Sequence, residues 1–156
     1  MPVTLELSVD VDAPPERTWA AAVDWDRQST WMLATTVRGT AQDGQAVGGG
    51  IEAFSGVRAG RLRLGVLDTM VVERWEPPRL CHVRHTGRVV RGTGTFAVEP
   101  RGGDRSRFVW REDLQLPLGV AGRLGWLLVR PLFAAGVRLS LRRFARWTEA
   151  GCPRPA

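Results

Sequence analysis

Apolar and polar positions alternate strictly at the start of the chain. Val3, Leu5, Leu7, Val9 and Val11 are separated by Thr4, Glu6, Ser8 and Asp10. Period two is the signature of a strand with one buried face. The alternation ends at Asp12 and Pro14-Pro15. Proline suits a first helical turn, where a missing N–H costs nothing, and Asp12 is placed to cap it. Trp19, Ala22 and Val23 then share one helical face at i, i+3, i+4. Asp26 is a second cap candidate, for a short helix closing at Trp31-Met32. Glycine-punctuated, strand-like runs follow at about 35–41, 50–57, 62–75, 80–86, 88–99 and 106–116. WEPPRL (75–80) and HTGR (85–88) read as tight turns, and EPRGGDR (99–105) as a longer hairpin loop. Consecutive strands on short connections predict an antiparallel meander.

The pattern then changes period. Trp126, Val129, Phe133, Val137, Ser140, Phe144 and Trp147 follow 3-4-4-3-4-3 spacing, one face of a long helix. Arg138, Arg142 and Arg146 form an i, i+4 row on another face. Pro131 is expected to kink or interrupt the helix, and Gly151 with Pro153 to end it. A curved sheet has one face to cover and the long helix has one apolar stripe to bury. The prediction is an α+β domain over 1–150 with a short tail, 151–156. Its sheet of about seven strands wraps on the C-terminal helix, and two short helices plug one end. Trp19, Trp25 and Trp31 are then fillers at that corner.

Composition narrows the reading. The chain has 156 residues, 44% hydrophobic and 24% charged, which suits one globular domain. All 22 basic residues are arginine, and lysine and tyrosine are absent. Residues 1–115 carry 15 Arg against 15 Asp and Glu, while 116–156 carry 7 Arg against 1 Glu. The net charge of +6 therefore belongs to the C-terminal segment. Nucleic acid is not expected as a partner, because no binding motif is present and the first 115 residues are neutral. Two isolated cysteines, Cys81 and Cys152, form neither a disulfide framework nor a zinc site. The N-terminus lacks the features of a secretory signal, so a cytoplasmic protein is expected, with no metal and no cofactor. GGG at 48–50 lacks the Gly-Lys-Ser/Thr of a phosphate loop and reads as a turn or bulge.

The stretches VDAPPERTWAAAVDWDRQSTWM (11–32), VVERWEPPRL (71–80), GTGTFAVEP (92–100), SRFVWREDL (106–114) and GRLGWLLVRPLFAAGVRLSLRRF (122–144) cover nearly the whole chain. In this order they resemble the polyketide cyclase/dehydrase and lipid-transport (SRPBCC) family of the START and birch-pollen-allergen superfamily. The resemblance implies the helix-grip fold and a deep, mostly apolar cavity between sheet and long helix. It implies no single chemistry, since members of the family bind lipids, cyclise poly-β-ketones or assist chaperones.

Turn lengths give a register for the cavity wall. A two-residue loop at Thr86-Gly87 sets Val83 opposite Val90, and a loop over 76–79 sets Val72 opposite Val83 and Met70 opposite His85. Facing residues share a side of the sheet. Asp68, Met70, Val72, Cys81, Val83, His85, Val90, Gly92, Gly94, Phe96 and Val98 then lie together, joined by Phe108, Trp110, Glu112 and Leu114. With Trp126, Val129 and Phe133 of the helix, the residues Met70, Val72, Val83, Val90, Phe96, Phe108 and Trp110 are the expected ligand-binding set. His85 and Asp68 fall within reach of each other, and Glu112 falls several residues toward the far end. Three function classes remain open. The first is binding of a small apolar or aromatic ligand, a lipid or polyketide-like metabolite. The second is an aromatase/cyclase or dehydratase, with His85 and Asp68 as acid–base pair and Glu112 or an arginine orienting a carbonyl. The third is an interaction module presenting Arg138, Arg142 and Arg146 to an acidic carrier protein or an anionic membrane. Cys81 reads as core, His82 as outer face, and Gly92 and Gly94 as room for a cavity.

Overall fold

The computed structural model describes residues 3–60, 62–115 and 119–153. Leu116, at the end of the last expected strand, and residues 154–156 of the expected tail lie outside them. Strand β1 (Val3–Val11) leads into α1 (Pro15–Ala22) and a 3₁₀ helix (Trp25–Thr30). Strands β2 (Thr35–Gly39), β3 (Gly50–Ala59), β4 (Leu62–Glu76), β5 (Leu80–His85), β6 (Gly92–Pro100) and β7 (Ser106–Leu114) follow, and α2 (Gly119–Glu149) completes the chain. One antiparallel sheet orders the strands β1-β7-β6-β5-β4-β3-β2. Seven strands curl around α2 in the helix-grip arrangement.

The helix starts differ from expectation. The residue before α1 is Pro14, in an extended conformation, and no side chain caps the helix. Asp12 instead binds Arg105 at 2.8 Å, and its backbone N–H donates to Glu149. Asp26 lies inside the 3₁₀ helix, which is preceded by Asp24. Asp24 accepts a hydrogen bond from Arg27 at 2.6 Å rather than from the backbone. Arg17 of α1 donates to the carbonyls of Thr148 and Glu149 in the last turn of α2, beyond the reach of the helix's own i+4 N–H groups. That contact fixes the two helices to each other at one end of the sheet.

α2 runs unbroken through Pro131. It ends as its sequence predicts. Gly151 adopts a left-handed φ of 85°, and the N–H groups of Gly151 and Cys152 return to the carbonyls of Thr148 and Trp147. This is the Schellman closure, which favours glycine at that position.

The core lies at the end of the sheet where α2 terminates. Trp31, Phe108 and Phe144 are fully buried, with ring centroids 5.0 Å apart for Trp31–Phe144 and 4.6 Å for Phe108–Phe144. Trp19 packs on Trp75 at 5.1 Å and Trp25 on Phe96 at 5.9 Å. The three tryptophans after β1 do close a corner of the core. Along α2 the burial is uneven. Val137, Ser140, Leu141, Phe144 and Trp147 are buried, whereas Leu124, Leu127, Leu128, Val129 and Leu132 are exposed.

The register explains the site. Met70 faces His85 and Val72 faces Val83, as turn lengths predict. They do so through two compensating departures, a bulge between Val72 and Arg74 and a turn shortened so that Glu76 faces Leu80. The bulge brings Trp75 onto the inner face opposite Cys81. The β5–β6 connection is longer than two residues. It spans 86–91, so Val83 faces Gly94 rather than Val90, and His85 faces Gly92. The displacement is four residues, an even number, so each side chain keeps its face while moving along the sheet.

Candidate functional site

Between the concave face of the sheet and α2 lies a cavity of about 460 Å³. Of the expected apolar wall, Met70, Val83, Val90, Phe96, Trp110 and Phe133 line it. Four others do not. Val72 and Phe108 are buried in the core, Phe108 packed on Phe144 with ring centroids 4.6 Å apart. Val129 is 54% exposed, and Trp126 stacks on Phe133 at 5.7 Å without reaching the wall. α2 passes beyond the cavity up to Val129 and first meets its wall at Phe133. Trp25, Met32, Ile51 and Val66 complete the apolar lining. They come from the 3₁₀ helix, from the turn that follows it, and from β3 and β4.

Three ionisable side chains interrupt this wall, and they form one cluster. His85 Nδ1 lies 2.7 Å from Asp68 Oδ2, and Nε2 lies 3.0 Å from Glu112 Oε2. Trp110 Nε1–H donates to the other Glu112 oxygen at 2.6 Å. Asp68 comes from β4, His85 from β5 and Glu112 from β7, so β6 lies between the last two. Gly94 makes the bridge over β6 possible. A Cβ there would stand 3.2 Å from Glu112 Oε1, in the path the carboxylate takes toward His85. The expectation that Glu112 sits toward the far end is therefore corrected. The longer β5–β6 loop slides Gly94 and Glu112 level with Val83, one pleat from His85. The space opened by Gly94 is filled by that carboxylate.

Burial alone pulls an imidazole toward neutrality, but here the hydrogen bonds and charges of Asp68 and Glu112 outweigh it. They push the His85 pKa up to about 9. At neutral pH the ring is an imidazolium with both N–H groups committed to carboxylates. The cluster then offers carboxyl oxygens to the cavity and no free donor. Asp68 Oδ1 is buried with no partner. No arginine lines the cavity among the described residues.

Neighbouring polar groups are otherwise spent. Gln28 donates to the Ala22 carbonyl at 3.0 Å, and Ser140 accepts from the Leu33 N–H at 3.1 Å. Cys81 also lines the wall, but burial pushes its thiol up to about 12, which removes the thiolate a nucleophile needs. His82 points outward and contacts Thr95 at 2.8 Å. Among the described residues no group of histidine, cysteine and carboxylate side chains could hold a metal ion. Arg138, Arg142 and Arg146 are exposed, with no acidic group in ion-pair distance among the described residues.

Solved structures with the same architecture include a protein of Thermus thermophilus, with a TM-score of 0.74 and 18% identity over 97% of this chain and 100% of that one. The Zhui aromatase/cyclase from a Streptomyces species matches at a TM-score of 0.73 and 13% identity, over 98% of this chain and 97% of that one. A Rhodobacter sphaeroides protein matches at 0.70 and 17%, over 94% of this chain and 92% of that one. At these identities the likeness is one of fold. No curated protein matches the sequence. The family model described as polyketide cyclase/dehydrase and lipid transport matches residues 2–149, and with the helix-grip sheet, the cavity and the matching residues all in agreement, the chain belongs to that family.

Proposed function

We propose that the cavity binds a small, mostly apolar molecule that presents a hydrogen-bond donor to Asp68 and Glu112. The carrying observation is an apolar chamber of about 460 Å³ whose one ionisable cluster accepts hydrogen bonds and lacks a free donor. Volumes of this order accommodate single small ligands. Burying about 200 Å² of ligand surface at about 25 cal/mol per Å² supplies roughly 5 kcal/mol before association costs. A ligand hydroxyl or amine would donate to the Asp68 and Glu112 carboxyl groups, whose side chains keep 15% and 14% of their surface exposed.

The cluster is poorly suited to the acid–base alternative. Enolisation needs a base with a free lone pair and a donor for the developing oxyanion. Asp68 and Glu112 keep lone pairs, but the donor is missing: both His85 nitrogens are held by these carboxyl groups, and no arginine stands on the wall among the described residues. The test is quenching of Trp25 and Trp110, which line the cavity, by 2-naphthol, 2-methoxynaphthalene and 2-naphthoate. Naphthol is expected to bind, the methyl ether about tenfold more weakly, and the carboxylate least. Equal binding of the carboxylate, or no binding of any of the three, refutes the reading.

A further inference from the structure

The antiparallel topology places the β3–β4 hairpin, the loop over 86–91 and the first half of α2 at the same end of the sheet. Phe133, Val66 and Val89 line the cavity from these three segments, so this end is its mouth. Two apolar jaws flank it. On one side Val57, Leu62, Leu64 and Val66 are exposed, and strand alternation sets them on the same face as Asp68 and Met70. They continue the concave face beyond the point where α2 covers it. On the other side Leu124, Leu127, Leu128 and Leu132 of α2 are exposed, Leu128 by 81% and Leu132 by 78%. Monomeric soluble proteins rarely leave such continuous aliphatic surface in water without a use for it.

The charges interleaved with these residues have one sign. Arg88, Arg91 and Arg130 are exposed, and in sequence 55–67, 86–98 and 115–148 contain arginines but no aspartate or glutamate. On the outer face Asp113 is already held by Arg111 and Thr4.

We propose that the cavity mouth, formed by the β3–β4 hairpin, the 86–91 loop and the first half of α2, docks on an anionic lipid bilayer. A bilayer takes aliphatic side chains into its acyl boundary while its headgroups meet the arginines. A second copy would satisfy the aliphatic surface but bring arginine against arginine, since a two-fold contact pairs a patch with itself. An acidic protein would match the arginines and leave the projecting leucines in water.

The helix lies on the membrane and does not cross it. Leu124–Glu149 is apolar enough to pass for a span, at a mean hydropathy of 1.4. Its second half, however, is locked into the core by Val137, Leu141, Phe144 and Trp147. The exposed stretch from Leu124 to Phe133 reaches about 15 Å, half of the roughly 30 Å a bilayer core requires. Arg146 is about 24 Å farther along the helix than Arg130, so Arg142 and Arg146 lie beyond a screening length of about 10 Å and contribute little.

The test is flotation of the full chain, without added cavity ligand, with vesicles of phosphatidylcholine alone or with one-third phosphatidylglycerol. Its outcome is therefore separate from that of naphthol binding. The expected result is flotation with the mixed vesicles only. Arg88→Ser with Arg91→Ser should lower partitioning roughly 30-fold, and Leu128→Glu with Leu132→Glu should abolish it. The milder pair Leu128→Asn and Leu132→Asn, at positions that touch no core, confirms the loss with the melting temperature unchanged. The proposal is overturned if the wild type stays with the soluble fraction at low salt. It is overturned equally if the leucine variants float as the wild type does. A stable dimer that Leu132→Asn dissociates, with no vesicle binding, would assign the surface to a second copy instead.

Discussion

Raising the pH from about 7 to about 8.5 should destabilise this fold through one side chain, His85. In the folded chain its pKa stands near 9, against 6.5 for an unperturbed histidine. Below the lower value both states hold the proton, and the stabilisation from the two carboxylates is fully present. Between the two values the folded state keeps a proton that the unfolded chain has released, so each rise in pH favours unfolding. Above the upper value the stabilisation is gone. The gap corresponds to roughly 3 kcal/mol in all, of which about 2 kcal/mol disappears between pH 7 and 8.5. For a domain of this size that is a fall in Tm of roughly 4–8 °C.

The composition makes the measurement clean. With no lysine and no tyrosine in the chain, few groups other than the histidines and cysteines titrate near this window. Cys81 adds a second loss only higher up, because its thiol stays protonated to about 12 when folded and ionises near 9 when unfolded. Urea unfolding at closely spaced pH values gives the slope, and histidine NMR gives the pKa of His85 directly. Glu112→Gln preserves shape and removes one of the two charges, so it should lower that pKa and flatten the slope. A wild-type stability that stays level across the window, or a slope unchanged by Glu112→Gln, would sink the account of the cluster.

Two further changes probe the same architecture. Gly94→Ala puts a methyl group 3.2 Å from Glu112 Oε1 and from Val83 Cγ2, so it should push the carboxylate off His85 and lower the histidine pKa by about one, read by NMR. Phe144→Ala removes a fully buried ring that contacts both Trp31 and Phe108, and should cost about 3–5 kcal/mol in chemical denaturation while leaving the His85 pKa in place.

Much of the fold was legible because its period changes are sharp. The strict alternation in β1, the glycine-punctuated strands and the 3-4 spacing of Val137, Ser140, Phe144 and Trp147 each bury the face they predict. What misled was local capping. Asp12 stands where a cap belongs, but Arg105 and the end of α2 compete for its groups, and Pro14-Pro15 starts the helix unaided. The first half of α2 misled in a different way. Trp126, Val129 and Phe133 continue the helical stripe faultlessly, yet periodicity reports only that residues share a face, not that a partner lies opposite. Phe133 still reaches the cavity, but beyond it Trp126 finds only Phe133 to pack on and Val129 is left exposed.

The cluster at the cavity was half legible, and the missing half turns on one loop. A chain reading that closes β5 to β6 with Thr86-Gly87 keeps every side chain on its correct face, because the true connection moves the pairing by an even number of residues. It therefore finds Asp68 beside His85 and places both indoors. It leaves Glu112 six positions along the sheet from His85 instead of two, and with Glu112 goes the chemistry. A histidine with one carboxylate and one free nitrogen is a ready acid–base pair. A histidine held at both nitrogens is a fixed cation shared between two buried acids. The signal that could have decided between these readings is Gly94. A glycine on the inner face of a central strand either bends the strand or lets a side chain from one neighbour cross to the other. Glu112 is the carboxylate directly opposite it, and a buried carboxylate on an apolar face needs a cation within reach. Among the described lining residues His85 is the one that meets that need.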